Sequence, residues 1–554
     1  MLQDTYKTIG KVIGEKTGVT DPQLIDGGEH ADLATTIAFT LAKQKKQAPA
    51  LIAKDLAAAL VNDPALQGIT IEAKGPYINF IFGAGYVSEA VTAAVKPGYG
   101  SFPKKGIRVV LEHTSANPNG PLHVGHIRNS IIGDTLARVF RKAGYGIEVQ
   151  YYVNDMGRQI AIVAWGFENL DSTRMDGEKE DAHIARIYIA ANREIEKDPG
   201  ITQQVNTLMQ LVEHGDPVTA KKFRREVSRC LDGFKVTMKN LNVAHDRFVW
   251  ESDFIRNGYT DRIIAKLKKL PQARDEDTLA LDLSEFGFEN KYVIRRSDGT
   301  SVYAARDLAF HAWKAANFDR VIDVLGADHK LIAAQLQRTM ILLGDKAPEI
   351  VHFEFVSLPE GSMSTRAGKF VSADDLISEI RKRAFDEVTI RRPELDEETR
   401  KSIAKSVGLA AIRYDIVKVT PEKSTVFDWK EALDFERQSG PYIQYAHARA
   451  CSILEKAGTF TECYDLETDK EIALAKQIAK FPSVIEKVVA ELHPHILATY
   501  SRELADTFNT FYHFEQVLKS EGKIRDRRLT LVKAVQNTLK EALETLGIDA
   551  ISTM

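Results

Sequence analysis

Residues 107–126 read IRVVLEHTSANPNGPLHVGH, and this stretch decides the fold. The apolar run at 107–111 predicts a strand buried on both faces. Residues 114–121, TSANPNGP, combine proline, asparagine and glycine and predict a loop. A helix is then expected from His123 to Ala143, with Ile127, Ile131, Leu136, Val139 and Phe140 on one stripe and Gly144 and Gly146 closing it. Residues 147–153 predict the next strand. Strand, loop, helix and strand at this spacing make a right-handed βαβ unit of a parallel sheet.

The unit carries His123-Val124-Gly125-His126 where loop turns into helix. Backbone N–H groups and the positive end of the dipole favour phosphate there. Histidines three apart share one face, so both imidazoles can donate to a nucleotide's phosphates. Gly125 has no Cβ, which lets a flat base lie against the backbone. Mutual capping of the helix is the plainer reading of the same two histidines. A zinc site would need further ligands, and only Glu112 and His113 stand near in sequence.

Outward from this unit, residues 1–100 predict a small α/β domain. A helix is expected at 31–43 and a strand at 77–82, and 97–103, PGYGSFP, is read as a linker. The segment 101–355 predicts a Rossmann-type catalytic domain. It is interrupted at about 165–285 by a helical insertion with helices at 181–197 and 221–241, and sheet-like sequence returns at 292–296 and 321–325. The helix at 221–241 carries Lys221, Lys222, Arg224, Arg225, Arg229, Lys235 and Lys239, either a solvated face or an RNA-facing one. A connecting helical region is expected at 356–433. Residues 434–554 predict a separate all-helical bundle.

Composition narrows the function class. The 554 residues are 44% hydrophobic and 27% charged, and 74 basic residues against 77 acidic ones leave a net charge of -3. That excludes a disordered chain and a generally basic nucleic-acid coat, though not a local basic groove. Cys230, Cys451 and Cys463 have no zinc or disulfide spacing, which points to a reducing compartment and no structural zinc. No run of 18 apolar residues and no apolar signal core are present, so a cytoplasmic protein without membrane contact is expected.

A second chemical signal is 361–369, GSMSTRAGK. It is not a phosphate-binding Walker loop, because Phe370 stands where that motif needs Ser or Thr. It is a hydroxyl-rich cationic loop whose Arg366 and Lys369 can stabilise a pyrophosphate leaving group.

With this loop, the strings EHTSANP at 112–118, HIRNSIIGD at 126–134, YAARD at 303–307, SGPYIQYAHAR at 439–449 and LGIDAISTM at 546–554 resemble the arginyl-tRNA synthetase family of class I aminoacyl-tRNA synthetases. The resemblance runs along essentially the whole chain. It implies a class I parallel-sheet catalytic domain with an insertion, a small α/β N-terminal domain that touches the tRNA elbow, and an all-α anticodon-binding bundle. It also implies a monomer that joins L-arginine to tRNA-Arg through arginyl-adenylate, using ATP with Mg²⁺.

Site residues follow by matching position. ATP would be held by His123, Gly125, His126, Gly326, Asp328, Met363 and Ser364, with His123, Gly125, His126, Arg366 and Lys369 as the catalytic set. Arginine would be held by Glu112, Asn117, His123, Tyr303, Asp307 and His329. A forked, permanent guanidinium cation calls for carboxylates, which Glu112 and Asp307 offer. Candidates for tRNA are Tyr77, Asn79, Tyr442, Tyr445, Arg449 and Tyr512, with a basic cluster at Lys519, Lys523, Arg525, Arg527 and Arg528. Core packing is the competing reading for Phe80 and for each tyrosine of the bundle. The loop departs from the family's K-M-S-K-S pattern, since Ser362 and Thr365 stand where lysines are usual. That keeps open a non-catalytic RNA-binding relative, beside a synthetase for another amino acid and a simple nucleotidyltransferase.

Overall fold

The computed structural model describes residues 2–25, 27–28, 31–296, 302–359 and 371–554. The apolar run at the start of the deciding stretch forms β1 (Arg108–Glu112). It is followed in the same sheet by β2 (Gly146–Val153), β3 (Arg247–Trp250), β4 (Arg320–Gly326) and β5 (Glu349–Phe353). All pairings are parallel and the order is β5-β4-β1-β2-β3. The order reverses between β1 and β4, so a crevice opens beyond the carboxyl ends of those two strands. Helix α1 (Val124–Lys142) supplies the first crossover and buries Ile127, Ile131, Leu136, Val139 and Phe140, the stripe expected from the sequence.

The insertion differs from the expected span. Its helices Glu180–Lys197, Gly200–Glu213 and Pro217–Asn240 are present. However, the chain is back in the parallel sheet at β3, well before residue 285. A short strand of four residues among helices carries too little periodic signal to be found from sequence. Tyr292–Arg295 belongs to a separate three-stranded antiparallel sheet with Leu279–Leu281 and Ala273–Asp275. The basic helix face is largely paired: Lys222 with Glu168, Arg224 with Asp253, Arg225 with Glu226 and Arg229 with Glu180 and Glu226. This is the arrangement of a solvated charged face.

The N-terminal domain holds a four-stranded antiparallel sheet, and its strand Tyr77–Phe82 lies where expected. The helix expected at 31–43 instead begins as strand Leu33–Thr35, paired with Ile78–Phe80, and turns helical at Ile37–Lys45. The switch sits at two β-branched threonines, where Thr35 Oγ1 accepts from the Ile37 N–H at 3.1 Å. The segment read as a linker is pinned. Gly98 N–H donates to Glu541 Oε1 (2.9 Å) and Tyr99 hydroxyl to the Ile478 carbonyl (3.2 Å).

The carboxyl-terminal bundle comprises Gly440–Ala457, Asp469–Ala479, Phe481–Glu491, His495–Phe514 and Gly522–Thr545. It is joined to the catalytic domain through Arg413, which is fully buried. The guanidinium donates to the carbonyls of Leu546 (2.7 Å) and Leu241 (2.8 Å) and pairs with Asp134 Oδ2 of α1 at 2.7 Å. Gly547, at φ 74°, leaves room for it, since a Cβ there would stand 2.3 Å from Cζ of Arg413. Removing one partner of a buried pair strands a charge. Asp134→Ala is therefore expected to cost about 3–5 kcal/mol. Urea unfolding checks this, and a midpoint equal to that of the parent protein would show the pair to be dispensable.

Candidate active site

The loop from β1 to α1 is held in a strained shape. Thr114 and Ser115 have φ of 70° and 38°, in the left-handed region that non-glycine residues seldom occupy. Thr114 N–H donates to Asn129 Oδ1 (2.8 Å), and its hydroxyl meets that of Ser130 (2.7 Å). Ser115 hydroxyl donates to Glu112 Oε1 (2.9 Å) and accepts from the Tyr152 N–H (3.0 Å). These bonds anchor the loop to β1, β2 and α1 and leave its Asn117 exposed.

His123 is the N-cap of α1. Gly125 N–H donates to His123 Nδ1 at 3.1 Å, and His123 N–H donates to His126 Nδ1 at 3.2 Å. The rings stack with centroids 3.7 Å apart. The capping reading is thus present in the structure, and it has a chemical consequence. An Nδ1 that accepts a backbone proton carries none itself, so each neutral imidazole holds its proton on Nε2. Burial, and for His126 also the neighbouring His123, disfavours the charged form; His126 is pushed down to about 3, and His123 is lowered by burial. Two neutral Nε2–H donors sit at a helix start beside the sheet's switch point. Gly125 serves the pair: a Cβ there would come within 3.0 Å of His123 Cε1.

Beyond the end of β4, Asp328 and His329 are exposed, with Asp328 Oδ1 and His329 Nδ1 3.4 Å apart. A Cβ on Gly326 would lie 2.5 Å from Asp328 Oδ1 as that exposed side chain is placed. Asn117 meets the amide of Asn154 at 3.2 Å.

Helix α2 (Tyr303–Asn317) begins with Tyr303, which is exposed, and carries Asp307 one turn on. Asp307, His311 and Lys314 share a face at i, i+4 and i+7. His311 Nδ1 lies 3.0 Å from Asp307 Oδ1 and 2.8 Å from the Asp307 carbonyl oxygen, and Nε2 lies 2.8 Å from Asp323 Oδ2. Lys314 Nζ is 2.8 Å from Asp323 Oδ1 and in contact with Glu112 Oε2. Glu112 and Asp323 are register neighbours on β1 and β4. The two carboxylates matched to a guanidinium are therefore the ends of one chain, Asp307–His311–Asp323–Lys314–Glu112, which is buried except at its half-buried end, Asp307. Burial and Lys314 oppose charge on His311, yet Asp323 and Asp307 push it up to about 10. Burial raises the Glu112 carboxyl, which Lys314 opposes.

Among the described residues, Glu112, His311 and Asp323 approach closely enough for a metal ion, but Lys314 already stands at their centre. Sequence reasoning missed His311, Lys314 and Asp323, although the polar i, i+4, i+7 row on an otherwise apolar helix face was visible. It also missed Arg306, buried between Glu251 (3.2 Å) and Glu213 (3.3 Å). Burial, only partly offset by Arg306, pushes Glu251 up to about 7.

Met363, Ser364, Arg366, Lys369 and the rest of 361–369 lie outside the described residues. Their flanks are fixed to α1 and to the loop that leads into it. Ala373 N–H donates to the Leu122 carbonyl (2.7 Å). Arg128 is fully buried and donates to the carbonyls of Glu354 (2.7 Å), Phe355 (3.3 Å), Thr420 (3.2 Å), Pro421 (3.3 Å) and Lys423 (2.7 Å).

The residues expected to meet RNA divide. Tyr77 is exposed and edge-on to the exposed Phe39, with centroids 5.8 Å apart. Asn79 and Phe80 are buried on an inner strand of the N-terminal sheet, so Asn79 is not presented to RNA as its tRNA assignment requires. Tyr442 is likewise buried, donating to Asp506 Oδ1 (2.7 Å) and accepting from Asn509 (2.9 Å), which is core packing rather than a base platform. Tyr445 is exposed, and the Arg449 guanidinium lies 4.8 Å from its ring and 5.9 Å from that of Tyr512. In the basic cluster, Arg527 and Arg528 pair with Glu467, Glu471 and Glu515, while Lys519 and Lys523 are exposed. Among the described residues no helix is long and apolar enough to cross a membrane.

Comparison with known proteins agrees along the whole chain. Residues 90–429 match the family model described as tRNA synthetases class I (R), catalytic domain. Residues 443–554 match the DALR anticodon binding domain, and residues 6–82 the arginyl tRNA synthetase N terminal domain. The chain is 76% identical to the arginine–tRNA ligase of Methanoregula boonei and 64% identical to that of Methanosphaerula palustris, covering 100% of both chains in each case. It is 30% identical to the Thermus thermophilus arginyl-tRNA synthetase structure, with a TM-score of 0.88 and 100% of each chain covered.

Proposed function

The chain belongs to the arginyl-tRNA synthetase family, and from that premise we propose how its switch-point site performs the family's reaction. The protein is an arginine–tRNA ligase: it uses ATP to attach L-arginine to tRNA-Arg. One observation carries the assignment of the site. The capped His123–His126 pair opens the helix that follows β1, and Glu112, one end of the carboxylate chain, is the last residue of β1 and is in register with Asp323 of β4.

In the first step a carboxylate oxygen of arginine attacks the α-phosphorus of ATP. The new O–P bond gives arginyl-adenylate, and the bond to the β-phosphate oxygen breaks to release pyrophosphate. His123 and His126 donate from Nε2 to phosphate oxygens as charge moves onto the leaving group, and the α1 N-terminus adds its dipole. Mg²⁺ enters as the ATP complex. Gly326, Asp328 and the loop residues Met363 and Ser364 are assigned to the nucleotide, with Arg366 and Lys369 standing in for the loop's missing lysines. Asp307 and Glu112 face the guanidinium, Tyr303 packs on it, and Asn117 and His329 orient the α-amino end. In the second step a ribose hydroxyl of the tRNA's terminal adenosine attacks the arginyl carbonyl, and AMP leaves. Tyr77 and the Tyr445–Arg449–Tyr512 platform are assigned to the tRNA, at the elbow and the anticodon respectively. We further propose that the protein acts as a monomer in the cytoplasm and needs no zinc, since its three scattered thiols suit a reducing compartment.

Charging of a homologous tRNA-Arg transcript with arginine, lysine and citrulline tests this reading. Lysine keeps the charge without the fork, and citrulline keeps the shape without the charge. Arginine alone should form ester, with one AMP and one pyrophosphate per arginyl-tRNA. Charging with lysine or citrulline at a comparable rate would refute the carboxylate-based selection.

A further inference from the structure

Both ring nitrogens of His311 face oxygen acceptors: Nδ1 meets the Asp307 carboxylate and carbonyl, and Nε2 meets the Asp323 carboxylate. A neutral imidazole has one N–H and would leave one contact between two acceptors; Nε2 also lies 3.5 Å from the Lys314 ammonium, but the Asp307 and Asp323 carboxylates, one at each nitrogen, outweigh it and favour the imidazolium. Lys314 is fully buried, and Asp323 and Glu112 hold its ammonium. The chain thus contains three carboxylates, one imidazolium and one ammonium. The sum is one uncompensated negative charge.

Charges inside a protein need partners, and an unmatched one is costly. A unit with one surplus negative charge is complemented by one permanent cation. A neutral side chain of the same shape would leave the surplus unpaired. We propose that His311 and Lys314 are positioning residues for arginine: they bind Asp307 and Glu112 into one rigid unit and set its net charge to minus one, the complement of a single guanidinium. This rests on the reading of Asp307 as the guanidinium's partner.

The groups that bear on this unit come from every element around it. Asp307 and Lys314 lie on the same helix as His311, Asp323 on β4 and Glu112 on β1. Glu251 beyond β3, Tyr152 of β2, Tyr292 of the small sheet and Tyr303 act electrostatically on or with Asp307. Of these, Glu251 is also paired with Arg306. Neutralising His311 would raise the surplus to two negative charges. Glu112, whose carboxyl burial already raises, would then take up a proton, and the unit would hold the guanidinium poorly until the pH is raised.

The test is the arginine KM of tRNA charging in His311→Gln, measured from about pH 6.5 to about pH 8.5 beside the parent protein and Asp307→Ala. The parent's arginine KM should stay flat. That of His311→Gln should be raised about tenfold or more at the acid end and fall as the pH rises, with the ATP KM unchanged. A His311→Gln KM that is near the parent value, or raised equally at every pH, overturns the positioning role. An unchanged arginine KM in Asp307→Ala would instead defeat the guanidinium reading itself. Should His311→Gln not fold, arginine-binding calorimetry on the parent protein with its tRNA decides, in two buffers of different ionisation enthalpy. No proton exchange across this range is expected; release of a proton on binding would show a neutralised, not a preset, unit.

Discussion

Asp307→Ala is expected to raise the arginine KM by roughly 30- to 1000-fold, which corresponds to losing about 2–4 kcal/mol from a hydrogen-bonded charge pair out of bulk water. The ATP KM should move by no more than about twofold, the scatter usual for sites with no shared partner. The asymmetry follows from the architecture. Asp307 stands one turn into α2 and is tied to His311, Asp323, Lys314 and Glu112. The histidine pair stands at the start of a different helix, α1, and shares no hydrogen bond or ion pair with that chain among the described contacts. Alanine removes the carboxylate and also frees His311 Nδ1 from one partner, so the variant should be less stable as well. Steady-state charging at saturating tRNA, varying arginine and ATP in turn, checks the result. Equal rises in both constants would mean that Asp307 supports the site as a whole and does not choose the amino acid.

The second large effect is on the chemical step. His126→Ala should lower kcat of adenylate formation by about 10²- to 10³-fold, the range seen when one fixed donor to a developing charge is lost. It should lower stability by only about 1 kcal/mol, through the missing acceptor for the His123 N–H. These contributions can be separated. His126→Asn keeps a side-chain oxygen that can accept from the cap but has no Nε2–H, so it should regain stability and remain slow. Single-turnover formation of arginyl-adenylate, with urea unfolding of the same samples, provides both readings. A fast asparagine variant would reduce His126 to a helix cap.

Local patterns carried much of this account, and long-range contacts carried the rest. The βαβ unit was legible because its strand, loop and helix differ in composition within a few residues. The histidine motif was legible because its residue types suit only a few roles at a helix start. Its capping geometry was also foreseen, though as a rival to phosphate binding. In the structure the same capping bonds leave each neutral imidazole's proton on Nε2. The strand Leu33–Thr35 was hidden inside a helical pattern because pairing with Tyr77–Phe82, not local preference, decides it. Asn79 was matched to a tRNA-facing position, and for Tyr442 core packing stood as the rival to such a role; tertiary packing buries both. Lys314 and Glu112 meet across a separation of 202 residues, and Arg413 and Asp134 across 279. No window on the chain contains either pair.

The central claim is that this site activates arginine and no other amino acid. ATP–pyrophosphate exchange with each of the twenty amino acids, with and without homologous tRNA, tests it most directly. The account predicts exchange with arginine alone, and a site that assembles by induced fit predicts that it appears only when tRNA is added. Exchange with an uncharged amino acid would contradict the carboxylate-based selection. No exchange under any condition, with tRNA still bound, would contradict catalysis and leave a tRNA-binding protein with an altered signature loop.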